Sequence, residues 1–199
     1  MVVNLILFYV NIIIFIMKAV IFTLLLAIAR GFDESTCVCT TVPCPVSGTN
    51  YLIEGGGGQG KYIYSMHNNH AVVTSATVTI TKSDLDHGTD TTSCTQAYSR
   101  TLDDDGVEDC DAGHILANRL GGLGNQPINI FPQDLSINRG SYAQFEGNIY
   151  DCMINGANTG TLNWEFTYKN TTETKPVGVQ YDATFDGGSC TTLSQSFAN

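Results

Sequence analysis

His114 is one of four histidines in a chain of 199 residues. It stands in "DAGHILANRLGG" (residues 111–122), between a glycine and an apolar triplet, directly behind the acid-rich "DDDGVEDCD". Histidine is the side chain whose ordinary pKa, near 6.5, lets it take or give a proton at neutral pH. For one histidine taken alone, a hydrogen-bonded and purely structural role is the competing reading. Other residues that invite chemistry carry weaker signals. His67 and His70 in "MHNNH" have a metal-like spacing but no acidic or cysteine partner close by, and read as loop. The acidic run 103–111 resembles a calcium loop only superficially. With Gly106 as its glycine, the frame opens at Thr101 and requires a glutamate where Ala112 stands, so the run reads as a solvated turn. The glycine run 55–58 lacks the Gly-Lys-Ser/Thr ending of a phosphate-binding loop and reads as a connection between two strands.

After "GHILANRLGG" the chain continues "LGNQPINIFPQDLSINRGSYAQFE". Taken with His114, this stretch resembles the DNA/RNA non-specific endonucleases, whose ββα-metal site puts a histidine on a strand and a metal-binding asparagine on the following helix. The matching pieces are the Asp-x-Gly-His box from Asp111 to His114, "NIFPQ" from Asn129, "NRG" from Asn138, and Glu146. They are dense from 111 to 146 and sparser through the two final strands to "FAN". The resemblance implies that His114 is the general base, that Asn138 binds Mg2+ (or Mn2+) directly, that Glu146 holds water on the metal, and that Asn129 helps order the site. DNA and RNA are the implied substrates. Many relatives carry arginine as the second residue of the box, where this chain has Ala112. The "DAGH" form is similar to that of a branch of secreted bacterial toxins and related nucleases. Arg119, five residues after His114, is the first candidate for the missing guanidinium, and Arg139, beside the metal ligand, the second. Arg100, Arg119 or Arg139 is expected to hold the substrate.

Phosphodiester hydrolysis needs a nucleophilic water, a way to hold negative charge on phosphate, and help for the leaving oxygen. A neutral imidazole suits proton abstraction from water, worth roughly 10²–10⁴ in rate. Activity should then fall below about pH 6, and the acidic run would push that limb to higher pH. Magnesium prefers oxygen ligands and keeps several waters, so one or two protein groups suffice. Eight residues of regular helix rise about 12 Å, so Glu146 would reach a metal on Asn138 only through water.

The elements that must position these residues can be read from periodicity. "YLIE", "KYIYSM" and the β-branched "AVVTSATVTITK" are strands. "TLNWEFTYK" alternates, with Leu162, Trp164, Phe166 and Tyr168 on one face, and "VGVQY" repeats this with Val177, Val179 and Tyr181. In "NRGSYAQFEGNIYDCM", Tyr142, Phe145, Ile149 and Cys152 recur at intervals of three and four, which makes an amphipathic helix capped by Asp134 or Ser136. The class is α+β: a mostly antiparallel β-sheet with a ββα-metal motif and one principal helix.

The first 29 residues read as a signal peptide, possible also from Met17. Lys18 starts it, 19–26 are its apolar core, and Ala27-Ile28-Ala29 has a cleavage pattern. The mature protein is expected to begin near Arg30 or Phe32, leaving residues 30–199 as one secreted domain without stable membrane association. All seven cysteines lie beyond the signal, which suits disulfides in an exported chain. Cys110 and Cys152 bracket the site segment and form one candidate bridge. "NTT" at Asn170 is a glycosylation acceptor pattern. The net charge of −10 argues against tight binding of nucleic acid by a basic field, so binding should be weak and salt-sensitive. No base-reading motif is present, and little sequence preference follows. Two rivals stand beside the nuclease. One is an inactive secreted binding module on the same scaffold, which Ala112 and the charge favour. The other is a serine-dependent hydrolase, for which a Gly-x-Ser-x-Gly elbow is lacking.

Overall fold

The computed structural model describes residues 47–53, 55–102 and 110–199. The signal-like segment 1–29, the start of the mature chain, Cys37, Cys39, Cys44 and most of the acidic run (103–109) lie outside the described residues.

Six strands form one antiparallel sheet: β1 (Gly48–Ile53), β2 (Gln59–His67), β3 (His70–Thr81), β6 (Thr159–Thr167), β7 (Gly178–Asp186) and β8 (Leu193–Ala198), in the order β1-β2-β3-β6-β7-β8. The strand periodicity read from sequence puts Leu162, Trp164 and Phe166 of β6 inward, and Val179 and Tyr181 of β7 beside them. Val177 departs from the pattern. It precedes β7 and is exposed, its backbone N–H donating to the Thr167 carbonyl. Thr77, Thr79, Thr161 and Asn163 face away from the core, which is how an antiparallel sheet keeps one face wet.

Between β2 and β3, Asn68 and Asn69 take φ of 45° and 66°, the backbone of a two-residue hairpin turn. His67 and His70 are therefore strand ends paired across a hairpin, and the loop reading of "MHNNH" is corrected. His67 Nδ1 donates to the Glu173 carbonyl at 2.8 Å and its ring meets Tyr168 edge-on. That is a structural histidine.

A second, two-stranded ribbon pairs β4 (Cys110–His114) with β5 (Ile130–Asp134), His114 opposite Ile130. From β5 the chain runs into the principal helix. Asp134 Oδ1 accepts from Ser136 N and Ile137 N, capping one turn, Leu135–Ile137. A wider turn, Asn138–Tyr142, follows and breaks at Gly140 (φ −110°, ψ −106°), and α2 (Ala143–Ile154) continues beyond it. Tyr142, Phe145, Ile149 and Cys152 are all buried, as the three-and-four spacing requires. The rings of Tyr142 and Phe145 meet Tyr181 and Phe197 of the sheet, and Trp164, packed on Tyr181, donates from Nε1 to Tyr142 Oη at 3.0 Å. Each such large side chain, fully buried, contributes ~1.5–3 kcal/mol.

A nine-residue helix, α1 (Ser93–Thr101), was not expected from sequence. Thr92 caps it by accepting from Thr95 N, and Thr95 Oγ1 donates to the Gly124 carbonyl, which ties the helix to the loop beneath the ribbon. The cysteine pairing also differs from expectation. Cys152 bonds to Cys190 and not to Cys110, because the last turn of α2 faces the β7–β8 connection while Cys110 opens β4 opposite Asp134. Cys94 is disulfide-bonded as well. Among the described residues no helix is long and apolar enough to cross a membrane.

Candidate active site

His114 is the last residue of β4, and the chain behind it is held by Asn129. Asn129 Oδ1 accepts from Leu116 N (2.8 Å) and Tyr62 Oη (3.1 Å), and Nδ2 donates to the Leu116 carbonyl (3.0 Å). The residue is fully buried, so it acts on the site by fixing the backbone two residues past the imidazole. His114 Nε2 lies 3.0 Å from the Thr89 carbonyl oxygen. A carbonyl can only accept, so Nε2 carries the proton and Nδ1 keeps its lone pair. The ring rests against Gly124, where a Cβ would come within 2.4 Å of Nε2.

Burial lowers the pKa of His114, and the Thr89 carbonyl and the Asp90 charge only partly oppose it. The net shift is downward, which corrects the expected displacement by the acidic run. The acid that faces the ring is Asp90, on the connection from β3 to α1.

Asn138 sits in the wide turn ahead of the Gly140 kink, where its Nδ2 donates to Asp111 Oδ2 at 2.9 Å. Arg139 grips the same carboxylate with two bonds, Nε to Oδ2 and Nη2 to Oδ1, both 2.8 Å. Burial would raise the Asp111 pKa, but the bonds from Arg139 and Asn138 and the arginine's charge outweigh it and hold it down. Asp111 therefore orients the Asn138 amide: with Nδ2 on the carboxylate, Oδ1 is left as a neutral oxygen donor. The sequence reading gave Asp111 no role, although its place in the box was the available signal.

These residues share a cleft of about 640 Å³, lined by Asp90, Thr91, Gln96 and Arg100 from α1 and the chain before it, and by Cys110, Asp111, Ala112, His114, Asn138 and Arg139. The fold thus gathers His114, Asn138 and Arg139 and leaves Arg119 and Glu146 outside the lining. Arg119 faces a separate depression of about 210 Å³ with Asp86 and Tyr150. Glu146 is buried on α2. Burial raises its pKa to about 8, against the pull of the nearby Arg119. Because Asn138 precedes the kink, the straight-helix spacing to Glu146 does not describe this chain.

The cleft suits a hard divalent cation. Asn138 Oδ1 is available, and Asp90 shares the cleft with one carboxylate oxygen on Asn118 Nδ2 at 2.7 Å. Magnesium needs few protein oxygens. Among the described residues no three His, Cys, Asp or Glu gather as a softer metal would require.

A family profile described as DNA/RNA non-specific endonuclease matches residues 55–186. The chain belongs to the DNA/RNA non-specific endonuclease family. It is 37% identical over 121 residues to "Probable deoxyribonuclease RhsA" of Dickeya dadantii (strain 3937), a match covering 61% of this chain and 8% of that protein's length. The chain is also similar to crystal structures of NucA from Streptococcus agalactiae. The magnesium-bound form is 12% identical, with a TM-score of 0.48, covering 78% of this chain and 86% of that one. The metal-free form is 10% identical, with the same score, covering 76% and 83%. The cleft is the place in the described fold where the His114 imidazole and the Asn138 amide share one lining.

Proposed function

We propose that this nuclease is an exported, magnesium-dependent endonuclease that hydrolyses phosphodiester bonds in DNA and RNA with little sequence preference. The observation that carries the residue roles is the paired orientation of His114 and Asn138. The Thr89 carbonyl reserves Nδ1 of His114 as the proton acceptor, and Asp111 turns the Asn138 amide so that Oδ1 is the free end.

His114 Nδ1 takes the proton from the attacking water as its oxygen bonds to phosphorus, and the bond to the leaving ester oxygen breaks. Asn138, with Asp90 across the cleft, would hold Mg2+, which when bound supplies positive charge to the phosphate and the leaving oxygen. Asn129 and Asp111 are positioning residues: one fixes the strand behind the base, the other the amide beside it. Arg139 sets the Asp111 carboxylate. Arg119 keeps charge next to Glu146, away from the cleft. Export is supported by the signal-like leader and by disulfides at Cys94 and at Cys152–Cys190, which persist in oxidising compartments.

Purified protein incubated with plasmid DNA and with RNA should cleave both with magnesium and neither with chelator. His114→Ala should abolish cleavage while leaving metal affinity nearly intact by calorimetry, and Asn138→Ala should weaken metal binding. Loss of the metal by His114→Ala with retention by Asn138→Ala would make His114 the ligand and sink this assignment. Binding of either substrate without turnover would point to an inactive binding module instead. N-terminal sequencing of the natural product should find it outside the cell, beginning near residue 30; an intact leader in a membrane fraction counts against export.

A further inference from the structure

Three arginines lie among the described residues, and the fold treats them differently. Arg139 commits its guanidinium to Asp111 in a two-bond pair. Arg119 lies beside Glu146 and Tyr150, outside the cleft. Arg100, in the last turn of α1, lines the cleft with His114 and Asn138 and is exposed, and its guanidinium has no hydrogen bond or ion pair among the described residues. Its five N–H donors meet no acceptor among the described residues, which leaves them for a ligand in the cleft.

The setting adds to this. Gln96 stands four residues earlier on α1, which puts it on the same helix face as Arg100, and it lines the same cleft. β4 contributes Ala112 to the same lining, and the charges beside it, Asp111 and Arg139, are paired with each other. An anion entering a molecule of net charge −10 meets repulsion nearly everywhere, and an unpaired guanidinium in a concave site is where that repulsion is locally reversed. The guanidinium fork fits two non-bridging oxygens of a phosphate, with a geometry an ammonium lacks.

We infer that Arg100, with Gln96 beside it, binds the reacting phosphate of the nucleic-acid substrate, so that the positive side of the site comes from helix α1 rather than from the ribbon that carries His114. The inference rests on the nuclease reading of the cleft.

The test uses the full chain, plasmid cleavage with magnesium, and binding of a short labelled DNA duplex in chelator, where no cleavage occurs. Arg100→Ala should lower kcat by roughly 10²–10³, as loss of a transition-state donor does. In the binding assay it should reduce the slope of log affinity against log salt by about 0.9, the value for one phosphate contact. Lys61→Ala, which removes a charge on β2 away from the cleft, should leave the rate unchanged. Adding Ala112→Arg to Arg100→Ala should restore part of the rate, because both positions face the same cleft. An active wild type with an unchanged Arg100→Ala variant overturns the inference and spares the nuclease reading. So does a loss confined to KM, or an unaltered salt slope. A wild type that binds duplex but never cleaves overturns the nuclease reading instead, and the salt slope still reports on Arg100.

Discussion

The Thr89 carbonyl that occupies Nε2 of His114 leaves Nδ1 as the ring's proton acceptor, so on the proposed mechanism the neutral imidazole is the working form. Burial lowers its pKa below the ordinary 6.5, with Thr89 and Asp90 opposing. Neutral His114 therefore persists to more acidic pH than a free imidazole would, and the acid limb of kcat/KM should lie below pH 6.5. A limb above 7 in a pH–rate profile would contradict this. Gly124 is the second residue that fixes the His114 ring. A Cβ there would stand 2.4 Å from Nε2 and 2.6 Å from Thr91 N, so Gly124→Ala must move the ring or the loop. A displacement on the order of 1 Å can cost about 10²-fold, and single-turnover rates on a folded variant should show a loss of that size. The order and spacing of His114 and Asn138 repeat a known pattern, and the fold brings the two into one cleft. The partners that orient them were not legible in the sequence, since Thr89 arrives from 25 residues upstream and Asp111 from 27. Arg119 lies apart from that cleft. It is near His114 along the chain, but the short turn Asn118–Leu120 carries it to another face.

At the scale of elements, periodicity was a reliable guide where apolar residues carried it. The strands β6 and β7 and the helix α2 bury the residues their alternation or three-and-four spacing selected. Helix α1 escaped because its buried side is Cys94, Thr95 and Ser99, which give no apolar stripe, and its structure depends on a Thr92 cap. The kink at Gly140 escaped too, since glycine permits the break without announcing it. The Cys152–Cys190 bridge closes a span of 38 residues and fastens the end of α2 to the β7–β8 connection. On the loop-entropy account a closure of that length contributes about 4 kcal/mol. Cys190→Ala should lower the denaturation midpoint accordingly, and an unchanged midpoint would show the bridge to be thermodynamically idle.

For the whole molecule, Glu146 links stability to pH. Burial raises its pKa from 4.5 to about 8, with Arg119 pulling the other way, so the fold favours the neutral carboxyl. In the unfolded chain the group ionises near 4.5. Its stabilising effect is thus full below about pH 4.5 and is lost as pH climbs toward 8, by roughly a few kcal/mol. Without added metal, wild type should lose stability relative to Glu146→Gln between pH 5 and 8 in denaturant titrations; parallel curves would refute the shift. Such titrations have a natural optical probe. Trp164 is the chain's sole tryptophan, fully buried on β6 with its indole N–H on Tyr142, the residue that leads into α2. Its fluorescence comes from one seam, the one holding the site's helix against the scaffold. Loosening of that seam admits water to the indole and moves the emission to the red, so parting of helix from sheet can be followed in solution without a label, independently of any change in the cleft.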